Sequence, residues 1–162
     1  MTESSAELMT SRRLALVADD EPAIRDLLER VLRPLGLGAL CVGDGAAAIA
    51  AAEAHRDKLS CAIMDIVMPV VNGVDAALAI QRAAPDLPIV LMSGAVPAQC
   101  ADGIAQLRLA GMLPKPFDLV ELRDLIRRAV GGDILRKKED SYGEHQQRTD
   151  KGPEAVDRRA DR

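Results

Sequence analysis

The sequence predicts a doubly wound α/β domain built on a five-stranded parallel sheet, and two observations carry that prediction. Short apolar runs alternate five times with longer segments of helical periodicity, the rhythm of repeated βα units. The apolar runs also lack period-two alternation, as expected where helices cover both faces of a parallel sheet. Right-handed crossovers between successive strands then place helices on either side.

Leu14-Ala15-Leu16-Val17-Ala18 is the first strand. Pro22 stands where a first helical turn tolerates proline, and Ile24, Leu27, Leu28, Val31 and Leu32 recur at helical spacing as far as Pro34 and Gly36. Ala39-Leu40-Cys41-Val42 is a shorter second strand, followed by an Ala-rich helix from about Asp44 to His55. Cys61-Ala62-Ile63-Met64 forms the third strand. After Asn72-Gly73 a third helix runs to about Ala84 and stops at Pro85. Ile89-Val90-Leu91-Met92 is the fourth strand, and a weaker helix from about Ala98 to Leu109 is loosened by Gly103. Met112-Leu113 is a stub of a fifth strand, and Leu119, Leu122, Leu125, Ile126 and Val130 line one face of a closing helix.

The chain has 162 residues, 48% apolar and 28% charged, with net charge −4, which suits one domain with a real core. Residues 1–11 read as a polar lead-in and 12–132 as the folded unit. Residues 133–162 hold 8 basic and 8 acidic residues and almost no large apolar groups after Leu135, so they read as a charged, disordered tail. No apolar run approaches the roughly 18 residues that span a membrane, and the first ten residues have no apolar signal region. Cys41, Cys61 and Cys100 are an odd, widely spaced set, so neither a disulfide framework nor a CxxC metal site is expected. Reduced thiols and a cytoplasmic location fit better. A mildly acidic chain with one Tyr and one Phe is a poor nucleic-acid binder, since that role wants basic surface and stacking groups.

In doubly wound sheets the chemistry gathers at the carboxyl ends of the strands. Asp19, Asp20 and Glu21 follow the first strand, Asp65 the third, Ser93 the fourth and Lys115 the fifth. Carboxylates converging on one rim repel one another. A hard divalent cation relieves that repulsion, and an all-oxygen set suits Mg2+. A carboxylate nucleophile, a metal, a hydroxyl and an ammonium together describe a phosphoryl-transfer site.

The segments Leu16-Val17-Ala18-Asp19-Asp20-Glu21-Pro22, Met64-Asp65-Ile66-Val67-Met68-Pro69-Val70-Val71-Asn72-Gly73, Met92-Ser93-Gly94-Ala95 and Pro114-Lys115-Pro116-Phe117 resemble the receiver domains of two-component response regulators. The resemblance covers about residues 13–131, and all four motifs stand in the family's order. It implies a (βα)5 flavodoxin-like receiver fold over 12–132 with strand order 2-1-3-4-5. It further implies that Asp65 is the phospho-acceptor, that Asp20 binds Mg2+ directly, and that Asp19 contributes through the metal or its water shell. The backbone carbonyl of Val67 would be a further metal ligand. Lys115 would pair with Asp65 and then with a phosphoryl oxygen, Ser93 would hydrogen-bond the phosphoryl group, and the Lys115–Pro116 bond would be cis. The implied partners are a sensor histidine kinase or a histidine phosphotransfer protein, with an output protein that is unknown.

Each residue also has a plainer reading. Asp20 can be a helix N-cap, Asp65 and Ser93 turn residues, and Lys115 a solvated charge. All four would have to hold at once on one rim. Three features depart from the family. Met112 stands three residues before Lys115, where an aromatic is usual, and reads either as core filling or as a different switch element. Val67 and Ala95, which flank the phosphorylation site, are apolar and cannot orient an attacking water. The polar residues after the folded unit are too few for an output domain, so the expectation is a stand-alone regulator acting by binding or onward transfer.

Two other functions are weighed against this one. A metal-dependent phosphatase with an aspartate nucleophile typically carries a second Asp two residues on, and that position is Val67, so the chain is expected not to be an enzyme. A phosphorylation-independent receiver-like binding module would be expected to lose an acidic residue or the Lys, and none is lost.

Overall fold

The computed structural model describes residues 13–131, so the lead-in over 1–11 and the tail over 133–162 lie outside the described residues. Strand β1 (Leu14–Ala18) leads through Asp19-Asp20-Glu21 into helix α1 (Pro22–Leu32), and a single 3-10 turn, Arg33–Leu35, ends at Gly36. Gly36 has φ +75°, a left-handed conformation that glycine adopts without cost and that terminates the helix. Then follow β2 (Gly38–Val42), α2 (Gly45–Ala54), β3 (Leu59–Asp65), α3 (Gly73–Ala83), β4 (Ile89–Ser93), α4 (Ala101–Gln106) and β5 (Gly111–Pro114). A closing helix, α5, occupies residues 119–131.

The five strands form one parallel sheet in the order β2-β1-β3-β4-β5. Alternate residues of the central strands feed opposite faces. Leu16, Ala18, Ala62, Met64, Ile89 and Leu91 pack with Ala48, Ala52, Val74, Ala77 and Ile80 under α2 and α3. Ala15, Val17, Cys61, Ile63, Val90 and Met92 pack with Leu28, Val31, Leu32, Leu122, Leu125 and Ile126 under α1 and α5. Burial of both faces is why β1 and β4 read as unbroken apolar runs.

Four differences from the sequence reading have physical causes. β3 begins at Leu59, two residues earlier than the apolar run suggests, because buried Ser60 is a strand residue whose Oγ accepts a hydrogen bond from Arg13 Nε at 3.0 Å. The helix expected over Ala98–Leu109 is a 3-10 turn, Ala98–Cys100, followed by only six α-helical residues. Gly103 also has a packing role that the sequence did not show. A methyl there would lie 2.6 Å from Val74 Cγ1, so the missing side chain lets α4 approach α3 closely. Met112 is 42% exposed and does not fill core. The three cysteines are free thiols, Cys41 exposed and Cys61 and Cys100 buried. Among the described residues no helix is long and apolar enough to cross a membrane.

Candidate functional site

The register of the sheet brings the sequence-predicted residues to one edge. Ala18 pairs with Met64, Asp65 with Met92 and Ser93 with Pro114. Asp19, Asp65 and Lys115 therefore leave β1, β3 and β5 at the same end of the sheet, with Ser93 between them at the end of β4. Lys115 N–H also donates to the Ser93 carbonyl at 2.8 Å, which ties the start of its loop to β4. The Lys115–Pro116 peptide is cis.

Lys115 is the hub of the site. Its Nζ lies 2.8 Å from Asp19 Oδ2, 3.1 Å from Asp65 Oδ2 and 3.7 Å from Glu21 Oε1. Its side chain is only 16% exposed, so the solvated-charge reading does not hold. Burial pulls the ammonium pKa down, but hydrogen bonds and charge from Asp19 and Asp65 outweigh it, and the net shift is upward. Lys115 is thus held firmly cationic. Burial is also the largest influence on Asp65, raising its carboxyl above the usual range despite the Lys115 ammonium, and the Asp19 charge adds to the rise. A poorly solvated carboxylate of this kind gains from any further cation beside it.

Asp19 is fully buried, whereas Asp20 and Glu21 are exposed. One carboxylate oxygen from each of the three lies within 4.8 Å of the others, and Lys115 joins Asp65 to this group. The donor set is all carboxylate oxygen, which fits a hard divalent cation that keeps part of its water shell. Asp20 is not a helix cap. The N-cap of α1 is Glu21, whose side chain makes no capping bond, and Asp19 Oδ1 accepts from the Glu21 N–H at 2.9 Å. Asp65 does share in turn chemistry, since Val67 N–H donates to its Oδ1 at 3.3 Å. The Ser93 hydroxyl donates to the Ala95 carbonyl.

The structure adds contacts that sequence reasoning did not show. Glu21 faces Lys115 besides belonging to the acidic turn. Gly45 and Gly73, the first residues of α2 and α3, abut the β3–α3 loop: a methyl at Gly45 would collide with the Val71 carbonyl, and one at Gly73 with the Asp65 carbonyl. Asn72 before Gly73 is an ordinary cap signal, its Oδ1 accepting from the Val74 and Asp75 N–H groups at 2.9 Å each. No sequence signal shows the close approaches themselves.

Val70, in the same loop, has φ +68° and closes a γ-turn in which Val71 N–H donates to the Pro69 carbonyl at 2.9 Å. A β-branched residue is strained in that conformation, and Val70 is 84% exposed, so burial of its side chain offsets little. Val70→Gly is therefore expected to stabilise the protein by about 1 kcal/mol, the relieved strain exceeding the added unfolded-state entropy. A denaturant midpoint that fell instead would show that the valine side chain holds the loop.

Comparisons with known proteins agree with this geometry. The family model described as response regulator receiver domain matches residues 15–127. The chain is 34% identical over 119 residues to the probable transcriptional regulatory protein TcrX of Mycobacterium tuberculosis, covering 70% of this chain and 49% of that protein. It is 36% identical over 119 residues to the DNA-binding transcriptional regulator NtrC of Azospirillum brasilense, covering 73% of this chain and 24% of that one. The chain thus spans half or less of the length of these relatives. A similar solved structure is the receiver domain of a sensor histidine kinase from Pseudomonas aeruginosa, with magnesium coordinated in its active-site cleft. It superposes with TM-score 0.65 and 27% identity over 75% of this chain and 99% of that one.

Proposed function

The chain belongs to the response regulator receiver domain family of two-component systems, and from that premise we propose that it is a phosphorylation-dependent switch whose acceptor is Asp65. The observation that carries the reading is the single ammonium of Lys115, which bridges buried Asp19 to Asp65 beside the Asp20 and Glu21 carboxylates. Receiver domains are signalling modules, and the partners proposed for this one are a sensor histidine kinase or histidine phosphotransfer protein upstream and a protein recipient of unknown identity downstream.

In the proposed transfer an Asp65 carboxylate oxygen attacks the phosphorus of a phosphohistidine. A P–O bond forms, the P–N bond breaks, and the imidazole leaves with that electron pair and takes up a proton. Lys115 neutralises the attacking carboxylate beforehand and then faces an oxygen of the new acyl phosphate, within reach of its present 3.1 Å contact. The Ser93 hydroxyl, bonded to the Ala95 carbonyl, has to turn from that partner to reach a phosphoryl oxygen. Asp20, Asp19, Asp65 and the Val67 carbonyl are the proposed holders of Mg2+, with Glu21 at the edge of the group. Bound there, the cation supplies charge neutralisation for the phosphoryl oxygens.

The test is intact mass after incubation with acetyl phosphate, with and without Mg2+, on the wild type and Asp65→Asn. The expected result is one phosphoryl group gained only when both Mg2+ and Asp65 are present. No gain on the wild type would favour a binding module that works without phosphorylation. A gain on Asp65→Asn would place the acceptor elsewhere. Once formed, the acyl phosphate is expected to be long-lived, because Val67 is 56% exposed yet apolar and Ala95 offers no side-chain acceptor for water. Val67→Asn should shorten its lifetime severalfold, read by the decay of the phosphorylated mass. An unchanged decay would remove Val67 as the cause.

A further inference from the structure

The acidic turn poses a mechanical problem. Three carboxylates gathered within 4.8 Å repel one another, and β1 ends at Ala18, so the ladder no longer fixes the backbone that carries them. Asp19 N–H still donates to the Val42 carbonyl at 3.2 Å, but the Asp19 carbonyl points toward α1. It accepts from Nη1 of Arg25, the fourth residue of that helix, at 2.7 Å. The Arg25 N–H in turn donates to the Glu21 carbonyl at 3.3 Å, and Ile24 N–H to the same oxygen at 3.1 Å.

The guanidinium therefore closes a ring around the whole turn, from the Asp19 carbonyl through the Arg25 side chain and the helix to the Glu21 carbonyl. Its far side is confined as well. Gly43 lies beside it, where an added methyl would stand 3.5 Å from Nη1, and the charge of Arg25 is felt at Cys41 on β2. The side chain is held between α1 and the end of β2, on the backbone side of the turn, whereas Lys115 binds the carboxylates themselves.

We infer that Arg25 is a positioning residue for divalent-cation binding: its hydrogen bond to the Asp19 carbonyl holds the Asp19-Asp20-Glu21 turn in the geometry that gathers the three carboxylates. It touches neither the phosphoryl group nor the cation, and works through the backbone. This inference rests on the proposal that the acidic group binds Mg2+.

Two effects of the guanidinium oppose each other, which makes its role measurable. A bare positive charge near the site disfavours a second cation, so removing charge alone would tighten Mg2+ binding. Removing the clamp lets the carboxylates spread, so the cation must regather them and binds more weakly. Supporting groups outside a metal's own ligands are commonly worth about tenfold or more in affinity, and the clamp is expected to dominate.

The experiment is isothermal titration of Mg2+ into the full chain for wild type, Arg25→Met, Arg25→Lys and Arg30→Met, at a temperature where circular dichroism shows each variant folded. Arg30 lies exposed on the same helix and controls for loss of one charge. The expected result is a dissociation constant about tenfold weaker for Arg25→Met and unchanged or slightly tighter for Arg30→Met. Arg25→Lys keeps the charge with a single-nitrogen head in place of the planar fork, and is expected to fall between wild type and Met. Equal or tighter binding by Arg25→Met would overturn the inference. Should Arg25→Met not fold, Arg25→Lys decides it, and wild-type affinity in that variant would then overturn the clamp. Absence of Mg2+ binding by the wild type would instead defeat the proposed cation site itself, a separable outcome.

Discussion

Gly73→Ala is expected to lower stability by about 2 kcal/mol or more, although alanine is the better helix former. Helix propensity alone favours the substitution by at most about 1 kcal/mol. Against that, the new methyl would overlap the Asp65 carbonyl oxygen, stand 2.8 Å from its carbon and 3.0 Å from Ile66 Cα. All three atoms are backbone, so no flexible side chain can yield, and overpacking of this kind typically costs 1–3 kcal/mol or somewhat more. Relief by backbone shift would stretch two hydrogen bonds, Gly73 N–H to the Ile66 carbonyl at 2.8 Å and Ile66 N–H to the Met92 carbonyl at 3.0 Å. The second bond anchors the loop immediately after Asp65, so phosphoryl acceptance should fall further than the unfolded fraction explains. Thermal melts and acetyl phosphate labelling of the same samples check both halves. Gly94→Ala is the control, because its methyl would meet nothing nearer than Lys115 Cβ at 4.0 Å. An unchanged melting temperature for Gly73→Ala would show that the loop gives way without cost.

Lys115→Met should produce the other large effect. The substitution keeps most of the aliphatic stem but removes the ammonium from between Asp19 and Asp65. Asp19 is fully buried and, among the described residues, would retain only the Glu21 N–H on its side chain. Breaking a buried ion pair by removing one partner costs about 3–5 kcal/mol, and the low end applies here because the Lys115 side chain is not completely buried. Denaturant unfolding in the presence of a chelator is expected to show that loss. A divalent cation can take over the neutralising charge, so added Mg2+ should stabilise Lys115→Met more than it stabilises the wild type. Equal stability of the two proteins without Mg2+ would mean that the acidic turn does not depend on this ammonium.

Much of the fold is legible in the sequence because a parallel sheet covered on both faces demands near-continuous apolar strands, and Leu14–Ala18 and Ile89–Ser93 meet that demand openly. Strand β3 is less legible at its start because Ser60 is polar and its partner, the Arg13 guanidinium, is 47 residues away in sequence. Helix α4 misleads for the opposite reason. The apolar residues from Ala98 to Leu109 suggest more helix than forms, and Gly103 allows a close contact with Val74 that no local pattern shows. Met112 shows the same limit, since apolar character alone does not say which side of an edge strand a residue faces, and this one faces out.

At the site, residue type and order along the chain place Asp19, Asp20, Asp65, Ser93 and Lys115 on one rim, because every strand of a parallel sheet points the same way. Sequence by itself therefore determined the sheet, the end at which the carboxylates and Lys115 gather, and the residue types gathered there. Tertiary structure alone decided how those residues meet: that Lys115 bridges Asp19 and Asp65, that Glu21 also faces it, that Gly73 lies against the Asp65 carbonyl, and that Arg25 grips the Asp19 carbonyl. The reason is physical. Strand direction and burial follow from local patterns of apolar residues, which the chain carries openly. Close approaches to backbone carbonyls, and ion pairs between residues up to 96 positions apart, exist only once the layers have packed.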